Sequence, residues 1–218
     1  MVIAIDGPAG AGKSTVARAL ARELGFAYLD TGAMYRCVAL AALQRGDGEL
    51  PSRPGAIAEI ARAARIELAG TADHEGQRVL LDGRDVSAAI RAPEVSESAS
   101  AVAADAGVRE VLVGRQRELL AAGDWVADGR DVAGVLAPHA EVKVFLDADP
   151  HERARRRAVE LGAELSTVLA EQTLRDTRDR TRALSPLAPA PGAVVIDTSA
   201  IGVEEVVRRI AEMARAAA

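Results

Sequence analysis

Apolar residues fall into short blocks that alternate between two spacings along most of the chain. Val2-Ile-Ala-Ile-Asp6 is a continuous apolar run stopped at Gly7, the signature of a buried strand. Val16, Leu20 and Leu24 then recur at helical spacing from Lys13, and Gly25 closes that helix. Residues 26–30 read as a second strand and residues 33–45 as a second helix, ended at Gly46. The segment 47–54 is polar and rich in Gly and Pro, which predicts a loop. Residues 65–69 and 78–82 form two strands joined by residues 70–77, which suggests a small antiparallel insert.

Helical spacing returns over residues 93–105 and 108–122. Strands follow at 125–128 and 142–147, helices at 150–161 and 164–180, a last strand at 194–197 and a last helix at 203–216. Five strands in a strand–helix rhythm predict an α/β fold, a parallel sheet with helices on both faces. Each of those strands ends in an acid: Asp6, Asp30, Asp128, Asp147 and Asp197. Ligands of such sheets bind beyond the carboxyl ends of the strands. Some of these acids serve only as helix caps or turn formers.

The 218 residues suit one domain with small inserts, and the 49% apolar content is enough for a core. Aromatics are 2%, so aliphatic side chains must build it. The net charge of −5 argues against a general binder of nucleic acid. Lys13 and Lys143 are the only lysines, which leaves Arg to supply nearly all positive charge. Cys37 is a lone cysteine in a helical apolar setting and reads as a packed thiol. No apolar run is long enough to span a bilayer, and the first residues lack a signal-type pattern, so a cytoplasmic protein is expected.

The segment Gly7-Pro-Ala-Gly-Ala-Gly-Lys13-Ser14 matches the P-loop pattern between a strand and a helix. Its glycines let successive N–H groups converge on one anion, and the helix N-terminus adds its dipole. Lys13 reaches the β- and γ-phosphates, and Ser14 offers a hydroxyl to Mg²⁺. Residues Gly7, Pro8, Ala9, Gly10, Ala11, Gly12, Lys13, Ser14 and Thr15 are therefore expected to hold ATP. The base-reading Asn-Lys-x-Asp of GTPases does not occur.

Arginines then separate transfer from hydrolysis. Arg36 follows Asp30-Thr31-Gly, and Arg130 lies in Asp128-Gly-Arg-Asp131. Arg153, Arg156 and Arg157 share one face of a helix, as do Arg175, Arg178, Asp179 and Arg182 of the next. Such faces are often only solvated Arg–Asp pairs. Transfer between two phosphates, however, gathers negative charge that several guanidinium groups must neutralise. Two arginine-rich helices would also make a lid that excludes water. A phosphate acceptor is already nucleophilic and needs no general base. That suits His74, His139 and His151, none of which sits in a catalytic context.

The chain closely resembles bacterial cytidylate kinases. The resemblance rests on residues 5–14, 29–36, 83–91, 108–112, 127–131, 144–148 and 178–187, in the family's order. It implies transfer of the γ-phosphoryl of ATP to CMP or dCMP with Mg²⁺. It also implies a core of residues 1–46, 98–149 and 183–218, a monophosphate-binding insert at 47–97 and a lid at 150–182. Carried over by position, Arg36, Arg130 and Arg182 would hold the acceptor phosphate, with Thr31 beside it, and Arg175 and Asp179 the sugar. Ser100, Arg109 and Asp131 would read the base, while Arg153 and Arg157 would face the donor. Asp128 could hold a metal-bound water. Cytosine's amino group suits Asp131 as acceptor, and its N3 and O2 suit Arg109 and Ser100 as donors. Uracil would mismatch at O4 and N3. No nucleic acid, membrane or partner chain is implied, and a monomer is expected. The competing readings are a P-loop kinase for another small acceptor and a nucleotide sensor without turnover.

Overall fold

The computed structural model describes residues 1–69, 77–181 and 185–218. In chain order the elements are β1 (Val2–Asp6), α1 (Lys13–Leu24), β2 (Ala27–Asp30), α2 (Thr31–Arg45), α3 (Ala56–Ala63), β3 (Ile66–Ala69), β4 (Arg78–Leu81) and β5 (Arg84–Asp85). Then follow α4 (Pro93–Val102), α5 (Ala106–Leu120), β6 (Trp125–Gly129), β7 (Val142–Asp147), α6 (Pro150–Leu161), α7 (Leu165–Thr181), β8 (Val194–Asp197) and α8 (Val203–Ala217). A five-stranded sheet has the order β2-β6-β1-β7-β8, and β3-β4-β5 form a second sheet.

Two compact units divide the chain: residues 1–28 with 123–218, and residues 29–122. In the first, β1 lies between two parallel partners, with Ile3 opposite Val126 and Val142, and Asp6 opposite Gly129 and Phe145. The sheet centre is buried on both faces, so Ile3, Ile5, Val144 and Leu146 carry no polar alternation. Val16 and Leu20 of α1 and Val206 and Ile210 of α8 complete that core. β8 pairs on one side only and leaves Val194 and Val195 exposed. On α6 and α7, Ala154, Ala158 and Val168 form a small cluster of their own.

In the second unit α2 packs on α4, and α3 on α5. Asp30 caps α2 by accepting from the Ala33 N–H at 2.8 Å, which starts the helix at Thr31 instead of Ala33. Cys37 is fully buried there, and burial pushes its thiol up to about 12, so it is a packed side chain. The antiparallel insert has a third strand, β5, that two residues could not announce. Helix α3 has an equally weak signature in the sequence, being eight residues long and mostly Ala and Ile. Among the described residues no helix is long and apolar enough to cross a membrane.

Candidate active site

The phosphate loop lies between β1 and α1, and its backbone is held by one local and several long-range side chains. Lys13 Nζ donates to the Pro8 carbonyl at 2.7 Å, and Arg130 Nη1 to the Gly7 carbonyl at 2.6 Å. Arg153 Nη1 donates to the Ala9 carbonyl at 3.0 Å. The Thr198 hydroxyl lies 3.2 Å from the Ala11 carbonyl oxygen and accepts from Arg156 Nη1 at 3.2 Å. A peptide whose carbonyl is tied outward leaves its N–H groups for the loop's interior, which is the arrangement an anion needs. At Gly7 (φ +148°) a Cβ would stand 2.1 Å from the Leu146 carbonyl oxygen, so only glycine fits.

Burial holds the Lys13 ammonium below the usual lysine range, to about 7, and the positive charges of Arg130 and Arg175 add to that effect. A cation so destabilised is poised to gain a polyanion. Asp6, at the end of β1, accepts the Val132 and Ala133 N–H groups at 2.8 Å each. These open a π-helical turn, Val132–Leu136, immediately after Asp131. The acid that ends β1 therefore fixes the direction in which Asp128-Gly-Arg-Asp131 leaves β6. Burial pushes the Asp6 carboxyl up to about 6, against the lowering effect of those two N–H groups.

Ser14 Oγ donates to Asp128 at 2.9 Å, and Tyr28 Oη donates to the other carboxylate oxygen at 2.7 Å. Asp128 is 4% exposed. A hydroxyl and a carboxylate in contact are hard oxygen donors of the kind Mg²⁺ takes. Mg²⁺ commonly uses one or two protein oxygens and draws the rest from phosphates and water. No group of three or more His, Cys, Asp or Glu that could hold a metal occurs among the described residues.

The arginines divide by role. Arg153 is 3% exposed: besides Ala9 it donates to the Ala148 carbonyl at 3.0 Å and pairs with Asp176 at 2.7 Å. Arg157, one turn further along the same helix, is half-buried and pairs with Glu160 at 2.9 Å. Arg156 pairs with Glu152 and donates to the Thr198 carbonyl at 2.6 Å. Arg130 pairs with Asp179 at 3.0 Å, and Arg175 is half-buried on the same helix. Asp131 is half-buried at the head of the π-helical turn, where its carbonyl accepts the Val135 N–H at 2.9 Å.

In the second unit Arg36 pairs with Asp30 at 2.7 Å over Gly32, where a Cβ would meet Arg36 Nη1 at 2.9 Å. Thr31 and Arg109 are buried, and Ser100 is half-buried on α4. Arg182 and His74 lie outside the described residues. Two contributors have little signature in the sequence: Thr198 and Asp176. Asp176 alone had a signal, standing between Arg175 and Arg178 on the arginine-rich helix.

A Mg²⁺-compatible hydroxyl–carboxylate pair beside a loop built for phosphates, with the buried Arg153 and half-buried Arg130 holding that loop, defines a P-loop phosphotransferase. The solved structures that the chain resembles support that fold. A gluconokinase from Sinorhizobium meliloti 1021 superposes with TM-score 0.51 at 19% identity, covering 99% of this chain and 93% of that one. An uncharacterised protein from Eubacterium ventriosum gives 0.54 at 13%, covering 97% and 96%. The sequence model of the family described as cytidylate kinase matches residues 3–216. A cytidylate kinase of Pelotomaculum thermopropionicum is 50% identical over 214 residues, 95% of this chain and 93% of the relative. Another, from Solibacter usitatus, is 46% identical over 225 residues, 99% and 92%. The chain belongs to the cytidylate kinase family and is an enzyme, a nucleoside monophosphate kinase.

Proposed function

We propose that the enzyme moves the γ-phosphoryl of ATP to CMP or dCMP, giving ADP and CDP or dCDP. The observation that carries the donor half is the loop of residues 7–14, with its carbonyls held by Lys13, Arg130 and Arg153 and the Lys13 ammonium destabilised by burial and by Arg130 and Arg175, against the opposing pull of Asp128 and Asp6. Bound triphosphate would restore the charge balance of Lys13, which then follows the phosphoryl group as negative charge spreads over its oxygens. Ser14 and Asp128 would hold Mg²⁺, Asp128 through a water. When bound, the ion would neutralise negative charge on the donor phosphates. The Ser14–Asp128 contact supports that assignment.

On the acceptor side, Arg36, Arg130 and Arg182 hold the monophosphate with Thr31 beside it, and Arg175 and Asp179 the sugar. Ser100, Arg109 and Asp131 read cytosine. Arg130 and Asp179 pair with each other, which puts the phosphate-holding and sugar-holding residues side by side. Arg157 faces the donor from the lid, residues 150–182, and Arg153 acts through the loop backbone. The insert at 47–97 belongs to the acceptor side. The enzyme works as a monomer in the cytoplasm, within pyrimidine metabolism.

A coupled assay of ADP release with CMP, dCMP, UMP and AMP tests the reading. CMP and dCMP are expected to turn over well above the others, and Asp131→Ala to raise the CMP KM and narrow the gap to UMP. Equal turnover of UMP and CMP by the unaltered enzyme overturns the base assignment.

A further inference from the structure

Gln172 on α7 is 7% exposed, and neither its Nε2 nor its Oε1 has a hydrogen-bond partner among the described residues. Buried carboxamides are seldom left so, because both ends lose water without replacement. Its location gives the reason. A Cβ built on Gly10 (φ +78°) would stand 3.1 Å from Gln172 Nε2, 2.9 Å from the Arg153 carbonyl oxygen and 3.0 Å from Arg153 Cβ. The amide therefore lies against the apex of the phosphate loop.

The neighbouring carbonyls of that loop are taken: Gly7 by Arg130, Pro8 by Lys13, Ala9 by Arg153 and Ala11 by Thr198. Gly10 between them has no such bond among the described residues. Gln172 is also the first position of a helix face that serves these holders. Asp176, four residues on, pairs with Arg153, and Asp179, seven on, pairs with Arg130. Spacing of four and seven places all three on one side of α7.

We propose that Gln172 is a positioning residue of the phosphate loop, whose carboxamide donates to the Gly10 carbonyl when a triphosphate fills the loop. The bond completes the set of side chains that turn loop carbonyls outward, and so raises affinity for the donor. A half-turn of the carboxamide exchanges donor and acceptor, so either end can present the N–H. The inference rests on the loop being the donor site.

The test is Gln172→Met, which keeps length and removes both polar ends, with Gln172→Glu, which keeps shape but cannot donate. Without nucleotide, the Met variant should melt at or above the parent temperature, since an unsatisfied amide is gone. Its affinity for MgATP, titrated directly by calorimetry and as KM, should fall about three- to tenfold, the equivalent of one hydrogen bond. The CMP KM should stay within about twofold. The Glu variant should lose at least as much ATP affinity. Parental ATP affinity in the Met variant overturns the inference. So does an equal rise in both KM values, or a fall in melting temperature large enough to account for the ATP effect. The calorimetric arm needs no acceptor, so failure of the CMP assignment would show separately, as ADP release indifferent to CMP.

Discussion

Replacing Arg153 by Met withdraws one buried guanidinium from three partners: the Asp176 carboxylate at 2.7 Å and the Ala148 and Ala9 carbonyls at 3.0 Å. The largest consequence is the Asp176 charge left in a site that is 4% exposed, which costs about 3–5 kcal/mol when one partner of a buried pair is removed. For a chain of this size each kcal/mol moves Tm by about 2–4 °C, so a fall of roughly 6–20 °C is expected in a melting experiment. The carbonyl bonds overlap with that figure and are not added. Removing both charges, as Arg153→Met with Asp176→Leu, should return most of the stability, because an apolar pair of similar volume has no uncompensated ion. Activity should not return with it, since the Ala9 carbonyl is still unheld. Urea melts and initial rates on the two single variants and the double variant separate the terms. Additive losses of stability would refute the buried-pair argument. Full recovery of turnover in the double variant would refute the role of Arg153 at the loop.

Other outcomes follow from the same geometry. Lys13→Ala should lose most turnover; near-parental rates would refute its assigned role. With the Lys13 ammonium held to about 7, the nucleotide-free group is mostly neutral at pH 8 and mostly charged at pH 6. ATP binding raises it again, so proton uptake on binding is expected to be larger at pH 8 than at pH 6. Calorimetry in buffers of different ionisation enthalpy reads this, as the difference from Lys13→Met. Asp6 is raised from its ordinary value to about 6, so its contribution to stability is fully present below about pH 3.8 and lost as pH rises through 6. That loss is roughly 3 kcal/mol; Asp6→Asn should flatten the stability profile across that window, and an unchanged slope would contradict it. Gly7→Ala places a Cβ 2.1 Å from the Leu146 carbonyl, so nucleotide binding should be lost, as read by ATP titration.

The phosphate loop was legible because its parts are adjacent in the chain, and stop signals at Gly7 and Gly25 frame them. β1, β7, α6 and β8 were legible for the same local reason. What holds the loop was not. Arg153 reaches Ala9 across 144 residues, Thr198 reaches Ala11 across 187, and Arg130 reaches Gly7 across 123. No periodicity encodes such pairs. Arg153 and Arg157 share a helical face in the sequence, yet four residues of helix leave one buried against the loop and the other half-buried and paired with Glu160. The π-helical turn after Asp131 was hidden too, because its cause is the Asp6 carboxylate on another strand.

The central strand β1 has consequences for how the chain is made. It leaves the ribosome well before the two strands that flank it, which lie more than 120 residues later. Residues 29–122 form a continuous unit and are complete before β6 has been synthesised. At about 5–20 residues per second, the nascent phosphate loop waits roughly 6–25 seconds for its sheet. Such long-range pairing is slow and exposes apolar segments in the interval. Val2-Ile-Ala-Ile is therefore the stretch of this chain most in need of shielding during translation, and a circular permutant that begins near Gly123 would shorten its exposure.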